Sequence, residues 1–175
     1  TDYQLEAIGK MFNGCILNGG VGSGKSRTSI AYYYIRNGGQ LEKEKDPGMK
    51  NPKDLYIITT AKKRDTGEWE AEFPYFLMST DPEVSRYKNK IVIDSWNNIH
   101  KYETVSDAFF IFDEQRLVGT GAWTKSFQKI VKRNEWILLT ATAGDQWTDY
   151  AQVFIANGYF RNITEFRNNH VVYNH

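Results

Sequence analysis

Five short apolar runs constrain this chain more than any other feature of it. They are Cys15-Ile16-Leu17, Leu55-Tyr56-Ile57-Ile58, Ile91-Val92-Ile93, Phe109-Phe110-Ile111-Phe112 and Trp136-Ile137-Leu138-Leu139. Each has the length of a strand, and none alternates apolar with polar residues. A strand with one wet face alternates, whereas a strand that stays apolar throughout is covered on both faces, as in a parallel sheet between two layers of helix. Helical periods lie between the runs: Leu5, Ile8, Met11 and Phe12 share one face, and Trp123, Phe127, Ile130 and Val131 share another. Strand and helix therefore alternate, and the expected class is α/β, a mainly parallel sheet with helices on both faces. A chain of 175 residues has the size of one domain.

Composition narrows the function. Hydrophobic residues make up 41% and charged residues 25%, which excludes disorder and fibrous repeats. The 22 Lys plus Arg against 21 Asp plus Glu leave a net charge of +1, so there is no bulk basic field and any nucleic-acid surface must be local. One cysteine, Cys15, excludes an internal disulfide, and His100, His170 and His175 without a second thiol argue against structural zinc. No apolar run approaches the roughly 20 residues that span a bilayer, and the first residues lack a signal-peptide layout, so a cytoplasmic protein is expected. The start at Thr1 suggests a piece of a longer chain. Residues 38 to 53, rich in Gly, Pro and alternating charge, are expected to form a mobile surface loop. Pro74 is expected to end or kink a helix running from about Lys62.

In an open parallel sheet the ligand site lies beyond the carboxyl ends of the strands. After the first run comes Gly19-Gly20-Val21-Gly22-Ser23-Gly24-Lys25-Ser26, which satisfies G-x-x-x-x-G-K-[ST] between a strand and a helix. Glycines let the backbone wrap a phosphate chain with its N–H groups pointing inward, and the following helix presents its positive end to the same anion. Lys25 then reaches the β and γ phosphates, and Ser26 ligates Mg²⁺. The fourth run ends in Asp113-Glu114, the form of a Walker B element: the aspartate binds hydrated Mg²⁺, and the glutamate, not tied to the cation, orients and deprotonates the attacking water. The fifth run ends in Thr140-Ala141-Thr142, hydroxyls that cap a turn or sense the γ-phosphate from a neighbouring strand end.

The order of these elements resembles the first RecA-like motor domain of a superfamily-two helicase. The residues that carry the resemblance are Tyr3-Gln4, the GGVGSGKS loop, Thr59-Thr60-Ala61-Lys62-Lys63, Asp94-Ser95-Trp96, Asp113-Glu114-Gln115-Arg116 and Thr140-Ala141-Thr142. Trp69-Glu70-Ala71-Glu72-Phe73 and the segments Gly158-Tyr159-Phe160 and Glu165-Phe166 look most like the Swi/Snf-like and phage helicases. The resemblance implies that Gln4 recognises adenine, that the loop from Gly20 through Val21, Gly22, Ser23 and Gly24 to Lys25 and Ser26 holds MgATP, and that Asp113 and Glu114 serve metal and water. It implies further that Thr140 and Thr142 couple hydrolysis to movement, and that Lys62, Lys63, Arg64 and Ser95 touch a nucleic-acid backbone. Gln115 and Arg116 depart from the small residue and His or Asp usual after Asp-Glu.

Motors of this family complete their ATP site with arginines from a second RecA-like domain, and nothing in this sequence repeats the first. Loss of an arginine finger costs roughly 10³ to 10⁵ in rate, so the chain alone is expected to bind ATP and turn it over slowly. Lysine and arginine contacts to phosphates carry no base information, so the partner, DNA in this reading, is bound without sequence preference. Two other readings stand beside the motor of viral or bacterial type: a packaging-type ATPase, for which Arg27 is the only arginine near the loop, and a non-catalytic nucleotide-gated binding module. A small-molecule kinase lacks an identifiable second substrate pocket.

Overall fold

The computed structural model describes residues 8–18, 24–41, 45–114, 121–140 and 171–173. Within them the five apolar runs form strands β1 (Ile16–Asn18), β2 (Leu55–Thr59), β3 (Ile91–Ser95), β4 (Phe109–Phe112) and β5 (Glu135–Thr140). A sixth, β6 (Val171–Tyr173), was not expected from the sequence. The order across the sheet is β3-β2-β4-β5-β1-β6, and every pairing is parallel. The α/β architecture read from the uninterrupted apolar runs is the one observed.

Alternate side chains of the same strands enter two separate cores, which is why the runs do not alternate. On one face Leu17, Leu55, Ile57, Phe109, Ile111, Ile137 and Leu139 pack with α1 (Lys25–Arg36) and with Trp69, Phe73 and Phe76. On the other, Ile16, Tyr56, Ile58, Phe110, Phe112 and Leu138 pack with Trp96, Ile99, Phe127 and Ile130. All four residues of β4 are fully buried, and burial of side chains of this size contributes about 1.5 to 3 kcal/mol each. The helix α1 is itself central: Thr28 to Tyr34 are all buried. It stops where Asn37 turns its side-chain amide back to the Tyr33 carbonyl at 2.7 Å.

The helix expected from Lys62 to Pro74 is shorter. α2 (Ala61–Thr66) opens on Thr60, whose hydroxyl accepts the Lys63 amide at 3.2 Å, and closes at Gly67 in the left-handed region at φ 71°. Glycine adopts that φ at no steric cost and so ends the helix before the proline is reached. Pro74 then sits inside a 3-10 segment, Glu70–Phe76, which ends at Leu77 with φ 59°. A second 3-10 segment, Trp96–Tyr102, follows β3, and α3 (Ala122–Val131) precedes β5. Of the first expected helical face, Met11 is buried but Phe12 is exposed.

The stretch expected as a mobile loop is tied down over its described part. Met49 is buried in the α1 core. The Asp46 carboxylate accepts the amides of Gln40 and Gly48 at 3.0 and 2.9 Å and the hydroxyl of Tyr34. Arg86 donates to the Pro47 carbonyl at 3.0 Å. No helix among the described residues is long and apolar enough to cross a membrane.

Candidate nucleotide site

An all-parallel sheet brings every strand's carboxyl end to one edge. Read along that edge in strand order, Ser95 closes β3, Thr59 closes β2, Asp113 follows β4, Thr140 closes β5 and the residues leading to Lys25 follow β1. Segments far apart in the chain thus meet where α/β folds place their ligands. Thr140 is paired in register with Asn18 of β1 and lies between the strand that carries Asp113 and the strand that leads to Lys25.

Gly24 stands just before α1 in the left-handed region at φ 79°, and the helix has neither a side-chain cap nor an acidic residue in its first turn. Its first amides and the positive end of its dipole are therefore directed to whatever lies beyond β1, an arrangement that favours an anion. Partial burial pulls the Lys25 ammonium below its ordinary value; the Asp113 carboxylate opposes this, Lys63 adds to it and Glu114 opposes it again. These four groups form one electrostatic cluster.

Asp113 is the best-held residue of the cluster. It is 2% exposed, and its Oδ2 accepts the Thr59 hydroxyl at 2.8 Å, the Trp69 indole N–H at 3.1 Å and the Lys63 ammonium at 3.3 Å. Its backbone is held as well: the amide donates to the Ile58 carbonyl at 2.7 Å, and the Trp96 indole donates to its carbonyl at 2.8 Å. With Oδ2 saturated, Oδ1 is the carboxylate oxygen that takes no hydrogen bond from the described residues. Glu114 stands next with φ 54°, a conformation costly for a residue with a Cβ. Its Oε1 lies 3.0 Å from the Lys63 ammonium.

The cations expected along a nucleic-acid backbone take different positions. Lys62 is exposed. Lys63 bridges Asp113 and Glu114; burial works against its charge, but the two carboxylates outweigh burial and hold the ammonium above its ordinary value. Arg64 pairs with Asp65 and Asp94, both at 2.9 Å. Ser95 is buried, its amide bonded to Asp94 Oδ1 at 2.7 Å. Burial works against the Asp94 charge, but Tyr102, Asn98, the Ser95 amide and Arg64 all donate to it and hold the carboxyl below its usual range. Gln4, Gly20, Val21, Gly22, Ser23, Gln115, Arg116, Thr142 and the segments from Gly158 and Glu165 lie outside the described residues.

Three residues that the sequence reading quoted without giving them a role hold Asp113: Thr59, Trp69 and Trp96. Both tryptophans fill the core, yet each also aims its indole N–H at Asp113. The signal for Thr59 is its place at the end of a strand, legible only once β2 is known to lie beside β4.

The donors present suit a magnesium nucleotide. Mg²⁺ prefers hard oxygen ligands and commonly takes one or two from the protein and the rest from phosphates and water. The hydroxyl of Ser26, half-buried in the first turn of α1, and Asp113 Oδ1 are of this kind. No group of three or more His, Cys, Asp or Glu is clustered for a metal among the described residues.

No family model matches the chain, and neither does any curated protein. Solved structures do. The Sulfolobus solfataricus SWI2/SNF2 ATPase core in complex with dsDNA matches 95% of this chain at a TM-score of 0.61 and 16% identity. The Pyrococcus furiosus Hef helicase domain matches 98% at a TM-score of 0.58 and 17% identity. The chain thus has the α/β, RecA-like fold seen in these two structures. It spans 37% of the length of each of these two proteins.

Proposed function

We propose that this chain is the ATP-binding half of an ATP-dependent nucleic-acid translocase acting on DNA, which hydrolyses ATP once joined to a second RecA-like domain. One observation carries the reading: the parallel sheet sets Lys25, at the start of the helix after β1, and Asp113 and Glu114, after β4, at the same edge, one strand apart. An ammonium, two acids and an uncapped helix start are the groups a triphosphate and its cation require.

In this reading the loop from Gly20 to Gly24 wraps the phosphates, Lys25 pairs with the β and γ groups, and Ser26 and Asp113 hold Mg²⁺. Bound Mg²⁺ neutralises phosphate charge and helps align the bonds that break and form. Glu114 accepts the proton of the attacking water, a role worth about 10² to 10⁴ in rate. Gln4 recognises the adenine. Thr140, between the two halves of the site, and Thr142 pass the state of the γ-phosphate onward. Exposed Lys62 is the first candidate for a phosphate backbone, with Lys63, Arg64 and Ser95 behind it. The Sulfolobus relative of this fold was solved on duplex DNA, which supports nucleic acid as the partner. The packaging-type reading is weaker, because Arg27 is bonded to Glu72 at 2.7 Å and stacked 4.0 Å over the Tyr75 ring.

Two substitutions in the full-length protein test the proposal. Lys25→Ala is expected to abolish MgATP binding. Glu114→Gln is expected to keep binding but to lose at least a hundredfold in turnover, the lower end of what a positioned base contributes. A non-catalytic module predicts that Glu114→Gln changes nothing, and rapid hydrolysis by the 175 residues alone would contradict the need for a second domain.

A further inference from the structure

Resting on the nucleotide-site reading above, we propose that Lys63 is an internal counter-ion that occupies the two acids in the absence of nucleotide and competes with the divalent cation for them. The Lys63 ammonium lies 3.0 Å from Glu114 Oε1 and 3.3 Å from Asp113 Oδ2. Its backbone is not free to drift, because Thr60 caps its amide and Gly67 closes the helix one turn later. The side chain thus comes from a fixed helix and reaches across the sheet edge to both carboxylates.

Asp113 Oδ2 already accepts three hydrogen bonds, so a divalent ion must approach through Oδ1 of the same carboxylate. A double positive charge then stands a few ångströms from an ammonium, and the two repel. The same bridge holds Glu114 Oε1 against the ammonium, so that oxygen is occupied while the bridge stands. Arrival of a triphosphate reverses the balance: its negative charge favours both cations and gives Lys63 another anion to face. The site therefore loads the divalent ion together with the nucleotide rather than ahead of it, and Glu114 is released as base only when both are present.

The test is a titration of the purified chain with Mn²⁺, followed by its electron paramagnetic resonance, without nucleotide. Lys63→Gln is expected to bind Mn²⁺ about tenfold more tightly than the wild type, as removal of one nearby like charge in partly solvated surroundings requires. Lys63→Arg, which keeps the charge, is expected to stay within about twofold of the wild type by the same reasoning. Lys125→Met, which removes a charge from the exposed face of α3, serves as the control. As a second readout, Mg²⁺ should raise the melting temperature of Lys63→Gln more than that of the wild type. Lys63→Met provides a second neutral variant should Lys63→Gln fold poorly. Unchanged Mn²⁺ affinity in the neutral variants, or equal tightening in Lys63→Arg, would overturn the proposal. Binding of a fluorescent ADP that depends on Lys25 keeps the two ideas apart. If that binding is present and Mn²⁺ affinity is unmoved, only the counter-ion role fails; if it is absent, the nucleotide reading fails with it.

Discussion

Replacing Thr59 by valine removes one hydroxyl from the sheet edge and little else. Valine has nearly the same volume and the same branching at Cβ, so β2 and its packing persist. The hydroxyl is fully buried and donates at 2.8 Å to Oδ2 of a carboxylate that is 2% exposed. A hydrogen bond to a charged group contributes about 1.5 to 3 kcal/mol. Because Trp69 and Lys63 still donate to the same oxygen, the loss should fall in the lower half of that range. Urea unfolding reads it directly, as a lower midpoint with unchanged slope. In a domain of this size the melting temperature should drop by roughly 3 to 8 °C. Placed on Asp113→Asn, the same substitution should cost about 1 kcal/mol less, since the bond is then made to a neutral acceptor. A loss under about 0.5 kcal/mol, no more than an ordinary surface change, would refute the claim that these donors hold Asp113 in place.

Burial pushes the Cys15 thiol from 9.0 up to about 12, so the folded state keeps a proton that the unfolded chain loses. Its stabilising contribution is whole below pH 9 and fades towards pH 12; Ellman's reagent at pH 8 should label Cys15 only as fast as the chain opens, and rapid labelling of native protein would contradict this. A Cβ on Gly39 would lie 2.1 Å from the ring of Tyr34, which is buried and bonded to Asp46, so Gly39→Ala should lose at least 1 to 3 kcal/mol, the usual range for overpacking. Gly9→Ala, which meets nothing within 4 Å, should stay within about 0.5 kcal/mol. The Asn134 side chain donates to the carbonyls of Val105 and Ile130 and accepts the Ala108 amide, all at 2.8 Å. Asn134→Ala leaves those groups without that partner and should cost about 2 to 3 kcal/mol by urea unfolding; a change under 1 kcal/mol would show that water replaces it.

What could be read from the sequence was local. An unbroken apolar run such as Phe109 to Phe112 announces a strand covered on both faces, and glycines followed by Lys25 and Ser26 are the motif from which a phosphate loop is proposed, because each signal lies within a few adjacent residues. Strand order has no such signal. Nothing near Thr59 says that β2 lies beside β4, so its bond to Asp113 was invisible, as were the indole contacts of Trp69 and Trp96. β6 was missed because Val171 to Tyr173 is a three-residue run at the sheet's edge. Lys63 illustrates the limit most clearly: a cluster of cations after a strand reads as a phosphate contact, whereas its bridge to two acids is a property of the sheet edge.

The central claim is that β1 and β4 deliver Lys25, Ser26, Asp113 and Glu114 to one triphosphate. A crystal structure of the chain grown with Mg²⁺ and a non-hydrolysable ATP analogue tests it without recourse to activity. The account predicts the β and γ phosphates on the first amides of α1 and on Lys25, with the ion between Ser26 Oγ and Asp113. A nucleotide bound elsewhere, with Lys25 and Asp113 both untouched by it, would contradict it.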